Sequence, residues 1–175
     1  LFEGIKELMP AHAMVINDHS ERIIRYWQPN LDFHLRGLTD QEYAEQFRSI
    51  LEESIRSRMR SITPIGVMMS GGLDSTTVAC LAARIQEPKQ LTTISFTFNE
   101  LKECDESEYI DAVASRYNTC SIKIPCDDIW PYKNWPDWPD DHSSPEGNLY
   151  RLNKERVYDA AKNNGMRVLL TGGFG

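Results

Sequence analysis

Apolar residues recur along this chain at two spacings, and the switches between them outline a fold. Ile65-Gly66-Val67-Met68-Met69 is a short apolar run of the kind a buried strand presents. Val78, Leu81, Ala82 and Ile85 follow at the spacing of one helix face. Residues 91–98 return to strand character, with Thr92, Thr93, Ile94, Phe96 and Phe98. Asp105-Glu106-Ser107-Glu108 then reads as a capping box opening a helix whose inner face is Ile110, Val113, Ala114 and Tyr117. Residues 119–124 form a third strand. Residues 147–164 form a helix with Leu149, Leu152, Val157, Ala160 and Ala161 inward, and Gly165 suits its C-terminal turn. Residues 166–170 form a fourth strand. The order from Ile65 onward is β-α-β-α-β-loop-α-β. It predicts an α/β fold: a parallel sheet with right-handed crossovers and helices on both faces. Ligands of such sheets gather at the carboxyl ends of the strands. Three turns fall there: 70–75, the segment after Phe98, and 171–175.

The first third reads differently. Leu1, Ile5 and Leu8 suggest a helical turn that Pro10 stops. Residues 12–17 and 22–27 read as a β-hairpin around Asp18-His19-Ser20. Residues 28–38 are polar, contain Pro29 and Gly37, and read as a linker. Thr39-Asp40-Gln41-Glu42 is a capping-box signature. Behind it Tyr43, Phe47, Ile50, Leu51, Ile55 and Met59 mark an amphipathic helix of about five turns. Arg56, Arg58 and Arg60 suit its negative end and read as a solvated terminus. Farther on, residues 127–145 carry Trp130, Trp135 and Trp138 among Pro131, Pro136, Pro139 and Pro145. That stretch is too long for a plain connection and reads as a functional loop or lid. Its aromatic bulk either shapes a pocket beside Asp137, Asp140, Asp141 and His142 or, the weightier reading, packs onto the core.

The chemistry concentrates in Ser70-Gly71-Gly72-Leu73-Asp74-Ser75-Thr76-Thr77, between the first apolar strand and its helix. A strand, a glycine turn and a helix place free backbone N–H groups and a positive helix end against an anion. Gly71 and Gly72 permit close approach and positive φ. Ser70, Ser75, Thr76 and Thr77 offer hydroxyl donors. Asp74 beside a phosphate is repulsive unless a cation lies between, which makes it a candidate Mg²⁺ ligand. Neither G-x-x-x-x-G-K-[ST] nor G-x-G-x-x-G is present.

Composition narrows the field. Acidic residues outnumber basic ones 26 to 19, for a net charge of −7. This argues against a nucleic-acid surface, though not against tRNA as a transient substrate. No apolar run reaches membrane-spanning length, and no signal-peptide pattern opens the chain. Cys80, Cys104, Cys120 and Cys126 form no C-x-x-C pair, which favours reduced thiols in a cytoplasmic protein over zinc or disulfides. Both ends read as those of an excerpt from a longer chain.

Residues 70–75 resemble the pyrophosphate-binding loop S-G-G-x-D-S of the ATP pyrophosphatase superfamily at every fixed position. More narrowly, the chain resembles the asparagine synthetase family. Leu1-Phe2-Glu3-Gly4-Ile5-Lys6-Glu7-Leu8-Met9-Pro10 and Arg25-Tyr26-Trp27-Gln28-Pro29 are similar to the end of that family's glutaminase domain. Met69 to Ser75, Ser95-Phe96-Thr97-Phe98, Asp105-Glu106-Ser107 and Leu170-Thr171-Gly172 are similar to the first half of its synthetase domain. The resemblance implies three parts: the end of a glutaminase-type domain (1–29), a linker (30–40), and an incomplete ATP-pyrophosphatase domain of the adenine nucleotide alpha hydrolase-like kind (41–175). It implies that Met69, Phe98, Thr171 and Gly172 hold ATP. It implies that Ser70, Gly71, Gly72, Asp74 and Ser75 hold its pyrophosphate, with Asp74 on Mg²⁺. The implied activity activates a carboxylate as an acyl-adenylate, releases pyrophosphate and forms an amide, as in asparagine synthesis from aspartate. Amide-ring-forming relatives and a non-catalytic nucleotide-binding fragment are the alternatives. A tRNA-modifying or sulfur-transferring enzyme would want basic surface or paired cysteines.

Three positions depart from the family pattern: the second metal ligand would fall beyond Gly175, Gly173 stands where a Glu is frequent, and Cys120-Ser121 stand where a His is frequent. No residue is assigned as acid or base, and the chain by itself is expected to be inactive. Expected partners are a small carboxylate, an amine or ammonia, and a glutaminase domain in the same chain. Neither nucleic acid nor membrane is expected, and a homodimer is allowed.

Overall fold

The computed structural model describes residues 3–134 and 150–173. A β-hairpin comes first, β1 (His12–Asn17) antiparallel to β2 (Ser20–Arg25). The second strand starts and ends two residues earlier than its apolar pattern suggests. Asn17 Oδ1 accepts from the N–H groups of His19 (3.0 Å) and Ser20 (2.9 Å), which closes the turn on Asp18-His19 and pulls Ser20 into the ladder. The hairpin is exposed along nearly its whole length. Residues 3–10 form no helix, contrary to the expected turn; Leu8 and Ile5 are exposed there and gain no packing to support one.

Helix α1 (Asp40–Arg58) begins at the expected capping box. Glu42 N–H donates to Thr39 Oγ1 while the Glu42 carboxylate accepts from Thr39 N–H at 2.7 Å. Ile55 is buried and Leu51 and Met59 pack beside it, but Phe47 and Ile50 are each 67% exposed. The apolar stripe is wider than the contact that α1 makes with α2.

Strands β3 (Ile65–Met68), β4 (Thr92–Thr97), β5 (Cys120–Pro125) and β6 (Val168–Thr171) form one parallel sheet in the order β5-β4-β3-β6. Helices α1, α2 (Leu73–Gln86) and α3 (Ser107–Tyr117) cover one face, around Val67, Met69, Ala79, Ala82 and Ile110. Helix α4 (Arg151–Asn163) covers the other, where Val157 and Ala161 meet Ile94, Phe96 and Ile122. Both faces are helical, as the pattern predicts. Gly165, at φ +70°, ends the last helix and turns the chain into β6.

Two starts differ from expectation. Helix α2 begins at Leu73, inside the glycine turn, because the first-turn N–H groups need no apolar face to be helical. Helix α3 has no capping box: Asp105 Oδ1 accepts from Phe98 N–H (3.0 Å) and Ser107 Oγ (2.9 Å) instead. Trp135, Trp138, Asp137, Asp140, Asp141, His142 and Leu149 lie outside the described residues, as does the expected start of the last helix at 147. Among the described residues no helix is long and apolar enough to cross a membrane.

Crossovers from β3 to β4 and from β4 to β5 run over one face, and that from β5 to β6 over the other. The direction of winding therefore reverses between β3 and β6. Such a switch point leaves a crevice at the carboxyl ends of the two strands, the usual ligand position in open sheets.

Candidate phosphate-binding turn

The switch point brings together two turns separated by a hundred residues in sequence. Thr171 pairs with Met68 in the β3–β6 ladder, so the residues after each strand emerge side by side. They touch at Gly172: a Cβ there would lie 2.5 Å from Ser75 N and 2.8 Å from the Asp74 carbonyl carbon. Met69, Ser70, Gly71, Gly72, Asp74, Ser75, Thr171 and Gly172 thus lie close together at the ends of β3 and β6. Met69 is 1% exposed, with its side chain in the core and its N–H bonded to Ile94 O at 2.9 Å, so it can face a ligand only through its backbone.

The turn is braced from within. Ser75 Oγ accepts from Ser70 N–H at 3.0 Å, lies 2.9 Å from Ser70 Oγ, and reaches Gly72 O at 3.2 Å. Ser75 is buried and acts as a strut between the two ends of the turn. The hydroxyls of Thr76 and Thr77 do not face a ligand as expected. Thr76 Oγ1 donates to Gly72 O (2.8 Å) and Thr77 Oγ1 to Leu73 O (2.7 Å), back along the helix, the usual habit of threonine there.

The glycines matter for space rather than for positive φ, which neither Gly71 nor Gly72 adopts. A Cβ on Gly71 would meet Glu106 Cβ at 2.6 Å and the Glu106 carbonyl oxygen at 3.0 Å. Glu106 also takes one of the turn's donors, Gly71 N–H to Oε2 at 3.2 Å. Sequence reading missed this contact because Glu106 sits inside an apparent capping box, 35 residues away.

What remains open is the first turn of α2. Thr76 N–H makes the first helical bond, to Gly72 O, so the N–H groups of Leu73, Asp74 and Ser75 have no helical partner. They point along the positive end of the helix dipole, a donor set that fits an anion such as a phosphate. Asp74 is exposed and pairs with no cation among the described residues, which leaves its carboxylate available to a divalent ion. Among the described residues no three His, Cys, Asp or Glu side chains cluster, so a cation here would complete its shell from water and phosphate oxygens. Asp74, Thr171 and Gly172 border a cavity of about 440 Å³ that reaches α1. Arg58 lines it too, with Nη1 on Ser54 O at 3.0 Å; the helix end expected to be merely solvated faces this site.

Phe98 stands apart. It follows β4, one strand over, and its ring meets that of Phe96 edge-on at 6.0 Å. It lines a different cavity, on the α4 side. Its loop is held by two carboxylates: Asp105 on Phe98 N–H, and Asp127 on the N–H groups of Asn99 (2.9 Å) and Glu100 (2.7 Å). These backbone bonds lower both carboxyls below their ordinary value. Next to them, Arg156 grips Asp128 with both arms, at 2.7 and 2.5 Å, and its hydrogen bonds hold that carboxyl down to about 2. All three groups therefore stabilise the folded loop above their ordinary pKa and lose that contribution as pH falls through the folded values. For Asp128 the window runs from 3.8 down to about 2. Arg156→Gln is expected to return the Asp128 titration toward 3.8, read from its side-chain carbonyl ¹³C shift against pH; an unchanged midpoint would contradict the pairing.

The chain is similar to several known proteins. The family model for asparagine synthase matches residues 46–175. Asparagine synthetase (glutamine-hydrolyzing) 3 of Bacillus subtilis is 32% identical over 83 residues, covering 47% of this chain and 13% of that protein. Putative asparagine synthetase (glutamine-hydrolyzing) 2 of Methanocaldococcus jannaschii is 31% identical over 114 residues, covering 63% of this chain and 21% of that protein. The chain thus spans about a fifth or less of these relatives' length. Among solved structures, the NH3-dependent NAD synthetase from Campylobacter jejuni superposes with a TM-score of 0.47 at 16% identity, over 74% of this chain and 55% of that one. With its family match running from α1 through the turn after β6, the chain belongs to the asparagine synthase family.

Proposed function

We propose that this chain carries the ATP-binding part of a ligase that activates a carboxylate and then forms an amide. The observation that carries the reading is the meeting of Gly172 with Asp74 and Ser75 at the switch point, which closes the turn after β6 onto a helix end whose first turn holds free N–H groups and an exposed carboxylate. The N–H groups at the head of α2 would hold the outer phosphates of ATP, and Asp74 would ligate Mg²⁺. Bound there, the cation would neutralise charge on the departing pyrophosphate. A substrate carboxylate oxygen attacks the α-phosphorus, and the bond from that phosphorus to the pyrophosphate oxygen breaks. An amine nitrogen then attacks the acyl carbon, AMP leaves with the bonding pair, and the nitrogen gives up a proton to water. Little proton transfer is needed in the first step, which suits a site whose assets are donors and one acid. Met69, Ser70 and Thr171 would contribute backbone and hydroxyl contacts to the nucleotide, with Phe98 at its far end.

Within this reading, aspartate as the acid and ammonia drawn from glutamine as the nitrogen source are supported by the names of the relatives alone. The amide-ring-forming alternative uses the same first step with an internal amine. The test is exchange of labelled pyrophosphate into ATP by the native protein, offered candidate acids one at a time. Exchange that depends on the acid is expected. Its absence with every acid, together with release of ADP, would contradict the proposal.

A further inference from the structure

We propose that Glu106 sets which anions the phosphate turn accepts: it disfavours a phosphate that arrives bare and admits one that brings a divalent cation. The inference rests on the reading of this turn as a pyrophosphate site and assigns its selectivity. Glu106 lies at the head of α3, where a carboxylate commonly faces the free N–H groups of its own helix. It makes no such bond. Its Oε2 accepts instead from Gly71 N–H at 3.2 Å, in the middle of the turn. The side chain is exposed, and no cation pairs with it among the described residues. A protein carboxylate thus occupies a donor that neighbours the open ones.

That bond is not what holds the turn. Ser75 Oγ ties Ser70 N–H to Gly72 O, and Ser70 Oγ accepts from Gly72 N–H at 3.3 Å. Gly71 is also packed against the main chain of Glu106, whose carbonyl oxygen a Cβ would meet at 3.0 Å. These contacts persist wherever the Glu106 side chain goes, and an uncharged acceptor would serve Gly71 equally well. What the carboxylate adds is its charge. Leu73 carries the first free N–H of α2, and its nitrogen is at most about 7 Å from that of Gly71, two residues back. An anion on that donor lies within the field of the carboxylate, which physiological salt damps only over about 8 Å. The charge repels bare pyrophosphate and is offset once a divalent ion sits on the phosphate oxygens. Asp74, the next residue, acts with the same sign until it ligates that ion.

Equilibrium dialysis against ³²P-pyrophosphate, once with excess Mg²⁺ and once with EDTA, reads this without turnover. Glu106→Gln keeps an acceptor for Gly71 and removes the charge. It is expected to bind bare pyrophosphate about fivefold more tightly than the native protein does, and the Mg²⁺ complex within about twofold, so the preference for the complex narrows. Glu106→Ala should act in the same direction and stands in if the glutamine variant fails to fold. Glu108→Gln is the control, an exposed neighbour on α3 with no bond to the turn, and should change the preference by less than about twofold. A residue that merely braces the turn gives a different pattern: both affinities fall together in Glu106→Ala, and neither moves in Glu106→Gln. That pattern, an unchanged preference in Glu106→Gln, or an equal narrowing in Glu108→Gln would overturn the proposal while leaving the pyrophosphate site standing. If the native protein takes up pyrophosphate under neither condition, the site itself is refuted, and the role of Glu106 with it.

Discussion

Asp74→Ala is expected to reduce acid-dependent pyrophosphate exchange by about a hundredfold or more while leaving the fold intact, the scale on which removal of one transition-state partner acts. The side chain is exposed at the head of α2, makes no ion pair among the described residues, and packs into neither core cluster. Its removal therefore takes away nothing that holds the sheet together. What disappears is the carboxylate beside the first-turn N–H groups, and with it the anchor for a cation between protein and phosphate. Asp74→Asn should behave nearly as badly, since the amide oxygen is a weaker ligand for Mg²⁺ and lacks the charge. Raised Mg²⁺ should recover part of the loss in the asparagine variant. Exchange by Asp74→Ala at the native rate, with unchanged Mg²⁺ dependence, would remove the acid from the mechanism.

Gly172→Ala is expected to have the largest effect on the architecture of the site. The new methyl would sit 2.5 Å from Ser75 N, 2.7 Å from Ser75 Cα and 2.8 Å from the Asp74 carbonyl carbon. All three are backbone atoms, so no rotamer change can make room. The two turns must separate, and overpacking of this kind costs about 1–3 kcal/mol. The separation also shifts Asp74 and the α2 donors relative to β6, so exchange should fall as well. Gly173→Ala is the matched control: its nearest neighbour would be Thr171 Oγ1 at 3.8 Å, an ordinary contact, and its effect should stay within about 0.5 kcal/mol. Denaturant midpoints of the two variants, measured side by side, check the contrast. Equal midpoints would show that the turns do not meet as described.

These two residues also mark how far sequence carries. The turn at 70–75 was legible because a strand, a glycine pair and a helix start have a local physical meaning together. The strand pattern put the turn at 171–175 on the same edge of the sheet as two others, and Thr171 and Gly172 were singled out by family resemblance; that β6 lies beside β3 came from the structure. Contacts that depend on three-dimensional approach were not legible. Glu106 bonds Gly71 across 35 residues and hides inside a plausible capping box that the structure does not form. Arg58 looks like any cation at a helix end until α1 is laid beside β6. Phe47 and Ile50 err the other way. Their spacing is that of a buried face, but periodicity reports what a helix can bury, not how wide its partner is.

The central claim is that the turn at the β3–β6 switch point grips the outer two phosphates, so that ATP is divided between its α and β phosphorus atoms. Incubating the native protein with ATP, Mg²⁺ and an accepted acid, then identifying the products by ³¹P NMR, tests this most directly. AMP and pyrophosphate formed in equal amounts, both lost in Asp74→Ala, is the predicted result. ADP and inorganic phosphate would contradict it.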